Sequence, residues 1–133
     1  MSQAIKTILV VEDERELLGI LNDELTSRGY KVELARNGQE GLDKIQSIEP
    51  DLVICDRAMP VMSGYQFLER LRGAYPQYNN MPFIFLTALA DPRDKHSVDH
   101  LNPTSYLEKP VDFEKLAQTI TAALSKPKNT YTL

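Results

Sequence analysis

Four short strand-like runs, three of them wholly apolar, end in residues that can do chemistry. Ile8 to Val11 is followed by Glu12 and Asp13, and Leu52 to Cys55 by Asp56. Phe83 to Leu86 is followed by Thr87, and Ser105 to Leu107 by Glu108 and Lys109. If these runs are neighbouring strands of one sheet, their ends gather on one rim. Carboxylates about 5 Å apart repel by roughly 3 kcal/mol per pair at an effective dielectric near 20. Such a cluster calls for a cation, and oxygen-only ligands select a hard one such as Mg²⁺. Lys109 supplies a fixed positive charge and Thr87 a hydroxyl donor. A carboxylate beside these groups is equipped to accept a phosphoryl group, a transfer governed mostly by positioning and charge neutralisation. Aspartate can act as the nucleophile and form an acyl phosphate. Asp56 is the best candidate, because it follows a wholly apolar run and precedes a loop punctuated by Pro60 and Gly64.

The elements that must position these residues alternate. Ile8 to Val11 suits a strand buried on both faces. Glu14 to Arg28 has Leu17, Leu18, Leu21 and Leu25 at helical spacing, with Gly29 as its C-terminal cap. Val32 and Leu34 alternate with Lys31 and Glu33, the pattern of a half-exposed edge strand. Gln39 to Ile48 reads as a second helix, closed by Pro50, and Tyr65 to Arg72 as a third. A polar, Tyr-rich loop spans Gly73 to Met81. Arg93 to Leu101 reads as a weak fourth helix, with only Val98 and Leu101 clearly apolar. Asn102 and Pro103 end it. Phe113 to Ser125 is a strong closing helix with Asp112 as N-cap. Short apolar strands alternating with amphipathic helices imply an α/β fold with a parallel sheet covered on both faces. In such open sheets ligands bind outside the carboxyl ends of the strands.

In this order the motifs carry a resemblance. Val11-Glu12-Asp13, Asp56 with Met59-Pro60 and Gly64, Phe85-Leu86-Thr87-Ala88 and Tyr106-Leu107-Glu108-Lys109-Pro110 together resemble a response-regulator receiver domain. Each motif is weak alone; in order, at these separations, they are highly specific. The resemblance covers residues 6–125 and leaves 126–133 as a C-terminal tail or the start of a linker. It implies a flavodoxin-like, doubly wound sheet of five parallel strands in the order 2-1-3-4-5, with five helices; a protein of this family is a standard example of that order. It implies that Asp56 takes a phosphoryl group from a histidine kinase or phosphotransfer protein. It implies Mg²⁺, with Mn²⁺ as an alternative, held directly by Asp13, Asp56 and the backbone carbonyl of Ala58, and through water by Glu12. Lys109 and Thr87 would contact the phosphoryl group. Thr87 and Tyr106 would act as the switch, and Lys109-Pro110 would be a cis peptide. The fourth helix, fifth strand and closing helix would form the face whose partner affinity changes. Such a chain is no conventional enzyme, although it catalyses its own aspartyl phosphorylation and dephosphorylation.

The sequence departs from the family in places. The stretch before the fifth strand is Asn102-Pro103-Thr104-Ser105 where relatives usually carry Gly-Ala-Asp-Asp. The acidic pair is Glu-Asp where many relatives have Asp-Asp. The polar fourth helix is expected to have low local stability before phosphorylation.

Composition narrows the function further. The 133 residues fit one domain, with 42% hydrophobic and 26% charged residues. Nineteen acids against fifteen Lys and Arg give a net charge of −4. This argues against direct nucleic-acid binding, which needs a basic face. No apolar stretch approaches the roughly 18 residues of a membrane span, and residues 1–6 lack the apolar segment of a signal peptide. A cytoplasmic location is expected. The single cysteine, Cys55, reads as a small buried hydrophobe. His96 and His100 have a zinc-compatible spacing, but no Cys or further His completes a site, so they read as solvated. With 126–133 too short for an effector, output is expected through a protein contact, a phosphorylation-dependent dimer being one form, or through an output domain in a longer chain.

Three rival readings remain open. A Mg²⁺-dependent phosphohydrolase would want a second Asp two residues after the nucleophile, where this chain has Ala58. A flavin or nucleotide binder would want a Gly- or hydroxyl-rich loop after the first strand, where Glu12-Asp13-Glu14 would repel phosphate. A pseudo-receiver would act through protein contacts alone.

Overall fold

The computed structural model describes residues 4–88 and 105–125. The strands are β1 (Thr7–Val11), β2 (Lys31–Ala35), β3 (Leu52–Asp56), β4 (Phe83–Thr87) and β5 (Ser105–Glu108). The helices are α1 (Arg15–Ser27), α2 (Gly38–Ile48), α3 (Gly64–Ala74) and α4 (Phe113–Leu124), with a 3₁₀ turn at Pro76–Tyr78. All strand pairs are parallel, in the order β2-β1-β3-β4-β5. The fold is therefore the doubly wound one expected. Four α-helices occur among the described residues; the helix expected over 93–101, together with His96 and His100, lies outside them.

Alternation along the central strands sorts their side chains onto two faces. Leu9, Val11, Val53, Cys55, Phe83 and Phe85 pack with α2 and α3. Ile8, Val10, Leu52, Ile54, Ile84 and Leu86 pack with α1 and α4. Every residue of β3 and β4 is buried, which explains their unbroken apolar runs. β2 lies at one edge, and its middle residues are only half-buried, as its alternating sequence indicates.

Helix ends follow local chemistry. Asn37, Ser63 and Asp112 accept hydrogen bonds from the backbone N–H groups of Glu40, Gln66 and Lys115. Ser63 and Gln66 form a reciprocal capping box. After α1, Gly29 takes φ 98°; its N–H reaches Thr26 O at 3.0 Å and that of Tyr30 reaches Leu25 O at 3.2 Å. This double bond pattern closes the helix and needs a residue without a Cβ clash. α2 ends instead on Glu49 in the left-handed region, φ 49°. Within the loop expected from Gly73 to Met81, the half-buried Arg72 guanidinium donates to the carbonyls of Tyr78 and Met81 and so ties down the 3₁₀ turn.

Candidate functional site

Backbone pairing brings the acidic residues together. Asp56 is the last residue of β3, and Glu12 extends β1 by one residue through a 3.0 Å bond from its N–H to Ala35 O. Val11 lies opposite Cys55 in the β1–β3 register, so Glu12, Asp13 and Asp56 converge. One carboxylate oxygen from each lies within 4.8 Å of the other two. Glu12 is completely buried and Asp56 nearly so, while Asp13 is exposed. Lys109 is positioned by its N–H, which donates to Thr87 O at 2.7 Å. Its Nζ stands 3.2 Å from Glu12 Oε1 and 3.4 Å from Asp56 Oδ2, bridging the two buried carboxylates. The Lys109–Pro110 bond is cis.

The electrostatics follow from burial. Burial pushes the Glu12 carboxyl up to about 7; the Glu14 backbone N–H and Lys109 offset part of this, while Asp56 adds to it. Asp56 is also raised, chiefly by burial, with Lys109 and the Ala58 N–H opposing. Burial alone would lower Lys109, but Glu12 and Asp56 outweigh it and hold the ammonium charged. One lysine thus faces two buried carboxylates. Glu12 Oε1, although buried, accepts no hydrogen bond and is met by the Lys109 ammonium as an ion pair at 3.2 Å. An all-oxygen set of three carboxylates within 4.8 Å of one another, two of them sharing one lysine, fits a hard divalent cation.

The remaining expected site residues sit around this cluster. Ala58 is exposed in the loop after β3, and its N–H donates to Asp56 Oδ1 at 3.3 Å. Thr87 is buried at the end of β4 and registers with Glu108. Tyr106 does not join the carboxylates. It is half-buried on the α2–α3 side of the sheet, stacked on Phe85 at 5.8 Å between centroids and 22° between planes. Cys55 is fully buried, and burial pushes its thiol well above the ordinary range, so it stays protonated.

Two contributors escaped the reading of the sequence. Glu14 donates its backbone N–H to Glu12 Oε2 at 3.1 Å, and its carboxylate lies 3.9 Å from Lys109 Nζ. A run of acids hides which one turns back toward the site. Gly64 was legible as loop punctuation and as a motif residue, but its packing role was not. A Cβ there would lie 2.4 Å from Asp56 O, 2.9 Å from Phe85 Cε1 and 3.0 Å from Arg57 Cα, so α3 can start against the end of β3 only with glycine.

Comparison with known proteins agrees with this geometry. The model of the response regulator receiver domain family matches residues 8–121. Response regulator ArlR of Staphylococcus aureus is 37% identical over 119 residues, which is 90% of this chain and 52% of the relative. The chain thus spans about half the length of the curated relatives it matches. The structure of Vibrio cholerae chemotaxis protein CheY4 superposes with a TM-score of 0.86 at 32% identity, covering 90% of this chain and 99% of that one. A signal receiver domain of a histidine kinase from Syntrophus aciditrophicus gives 0.84 at 34% identity, with 96% of each chain covered. The family match takes in Glu12, Asp13, Asp56 and Lys109, the same residues that the sheet gathers on one rim, and the chain belongs to the response regulator receiver domain family.

Proposed function

We propose that the chain is a phosphorylation-controlled signalling domain over residues 6–125, followed by a tail or linker at 126–133, with Asp56 as its phosphoacceptor. The supporting observation is the convergence of Glu12, Asp13 and Asp56 with the Lys109 ammonium 3.4 Å from Asp56. Ionised Asp56 attacks the phosphorus of a phosphohistidine on a histidine kinase or phosphotransfer protein; a P–O bond forms and the P–N bond breaks. Asp13, Asp56 and the Ala58 carbonyl would hold Mg²⁺, or Mn²⁺ in its place, with Glu12 acting through water. When bound, such a cation neutralises carboxylate and phosphoryl oxygens. Lys109 would pair with the transferred group, and Thr87 would offer it a hydroxyl donor. The same residues would support hydrolysis of the acyl phosphate.

Phosphorylation adds about −1.5 to −2 charges and three acceptor oxygens. Thr87, Lys109 and Tyr106 respond, and the face including β5 and α4 changes its affinity for a downstream protein, an output domain or a second copy. This is a population shift limited by the differential affinity of the group for the two states. The net charge of −4 favours a protein partner over nucleic acid. Among the described residues no helix is long and apolar enough to cross a membrane; the reading is of a cytoplasmic domain. Incubation with acetyl phosphate and Mg²⁺, followed by intact mass, is expected to show one added phosphoryl group that EDTA or Asp56→Asn abolishes. Equal labelling of Asp56→Asn would overturn the reading.

A further inference from the structure

We propose that Tyr65 is a positioning residue that couples the Asp56 end of β3 to Tyr106 on β5 through the buried ring of Phe85. The proposal rests on Asp56 being the phosphoacceptor and adds a second route by which its state reaches the sheet edge. A continuous line of groups crosses the α2–α3 side of the sheet. The Arg57 guanidinium lies 5.7 Å over the Tyr65 ring, and its Nη1 donates to the Tyr65 hydroxyl at 3.4 Å. Tyr65 meets Phe85 edge-on at 5.5 Å and 84°. Phe85, fully buried, stacks on Tyr106 at 5.8 Å.

The line has no slack where it meets the phosphoacceptor. The Gly64 N–H donates to Arg57 O at 2.8 Å, and the space for a Cβ at Gly64 is filled by Asp56 O and the Phe85 ring. A shift of the Asp56–Arg57 backbone must therefore move the first turn of α3, Phe85 or both, because close-packed interiors transmit displacement. Added negative charge on Asp56 also competes for the guanidinium of the next residue, which at present covers Tyr65. Both effects converge on Phe85, and Phe85 sets the stacking of Tyr106. Ring geometry matters here, since edge-on and stacked contacts are directional whereas aliphatic packing is not.

The test is fluorine NMR on the full chain carrying 3-fluorotyrosine, with the Tyr106 signal assigned by Tyr106→Phe. Spectra are taken before and during incubation with acetyl phosphate and Mg²⁺, and intact mass is taken from the same samples. The native chain is expected to show a phosphorylation-dependent shift of the Tyr106 signal. Tyr65→Phe, which keeps the ring, should retain that shift. Tyr65→Leu, which fills the space without a ring, should lose most of it at equal phosphorylation. Phe85→Leu should lose it as well; if that variant does not fold, the Tyr65 pair decides alone. An unchanged Tyr106 shift in Tyr65→Leu at equal phosphorylation overturns the proposal. Absence of any added phosphoryl mass in the native chain is instead a failure of the Asp56 reading.

Discussion

Glu12 carries the heaviest electrostatic load of any single residue in this site. It has no solvent exposure, shares one lysine with Asp56, and is pushed up to about 7 from an ordinary 4.5. The folded chain therefore binds a proton at Glu12 more tightly than the unfolded chain does. Between pH 4.5 and about 7 the folded state holds more protons, so its stability falls as pH rises through that window. Asp56, also raised, acts in the same direction. In EDTA, urea unfolding is expected to give a stability lower at pH 7.5 than at pH 5 by on the order of 1–3 kcal/mol, with most of the difference gone in Glu12→Gln. A pH-independent midpoint in the native chain would contradict this. Lys109→Met leaves both carboxylates without their bridging cation and should steepen the same slope; an unchanged slope would show that the ion pairs at 3.2 and 3.4 Å contribute nothing. Glu12, Asp13, Asp56 and Thr87 were legible because each comes at the end of a short apolar run, so its place in the chain also gives its place on the rim. Glu14 was not legible, since its contribution is a backbone N–H and any residue supplies one. Tyr106 could be placed on β5 from the sequence, but its stacking on Phe85 depends on two strands pairing in one register.

At the scale of elements, positioning rests on how α3 begins. Gly64→Ala would force its Cβ into Asp56 O and the Phe85 ring, and two of the three nearest atoms belong to the β3–loop backbone. Overpacking of this kind is expected to cost about 1–3 kcal/mol and to displace Asp56. Chemical denaturation should show the loss and acetyl phosphate labelling should slow; native stability and labelling would contradict the role given to this glycine. The end of α2 tests the opposite case. Glu49 is exposed and holds φ 49°, a conformation glycine adopts without a Cβ penalty. Glu49→Gly should therefore raise stability by about 0.5–1 kcal/mol, read as a higher urea midpoint. A lower midpoint would mean that the Glu49 side chain has a stabilising role of its own. Apolar spacing located every described helix to within two residues, because burial of one stripe dictates it. The left-handed residues Glu49 and Val61 left no such trace. Neither type favours φ > 0, so the surrounding closure, not local preference, sets these angles.

For the whole molecule, the five-stranded parallel architecture follows from alternation, but the strand order does not. Nothing in the apolar runs says that β1 sits between β2 and β3; the order came from the resemblance and is the one observed. That order places the carboxyl ends of β1 and β3 side by side, which turns scattered acids into a cluster. A divalent ion binding this cluster stabilises only the folded chain. At a concentration near 100 times its dissociation constant it should add about 2.7 kcal/mol. Mg²⁺ at pH 7.5 is expected to raise the thermal midpoint of the native chain and to do much less for Asp13→Asn. Equal rises in both would remove Asp13 from the ligand set.

The central claim, that Asp56 takes the phosphoryl group, is tested most directly by locating the acyl phosphate. Borohydride reduces an aspartyl phosphate to homoserine with release of phosphate, and peptide mass spectrometry then reads the converted position. After incubation with acetyl phosphate and Mg²⁺, homoserine is expected at Asp56, with Glu12 and Asp13 unchanged. Conversion at another carboxylate, or none at Asp56 in a sample that carries the added phosphoryl mass, would contradict it.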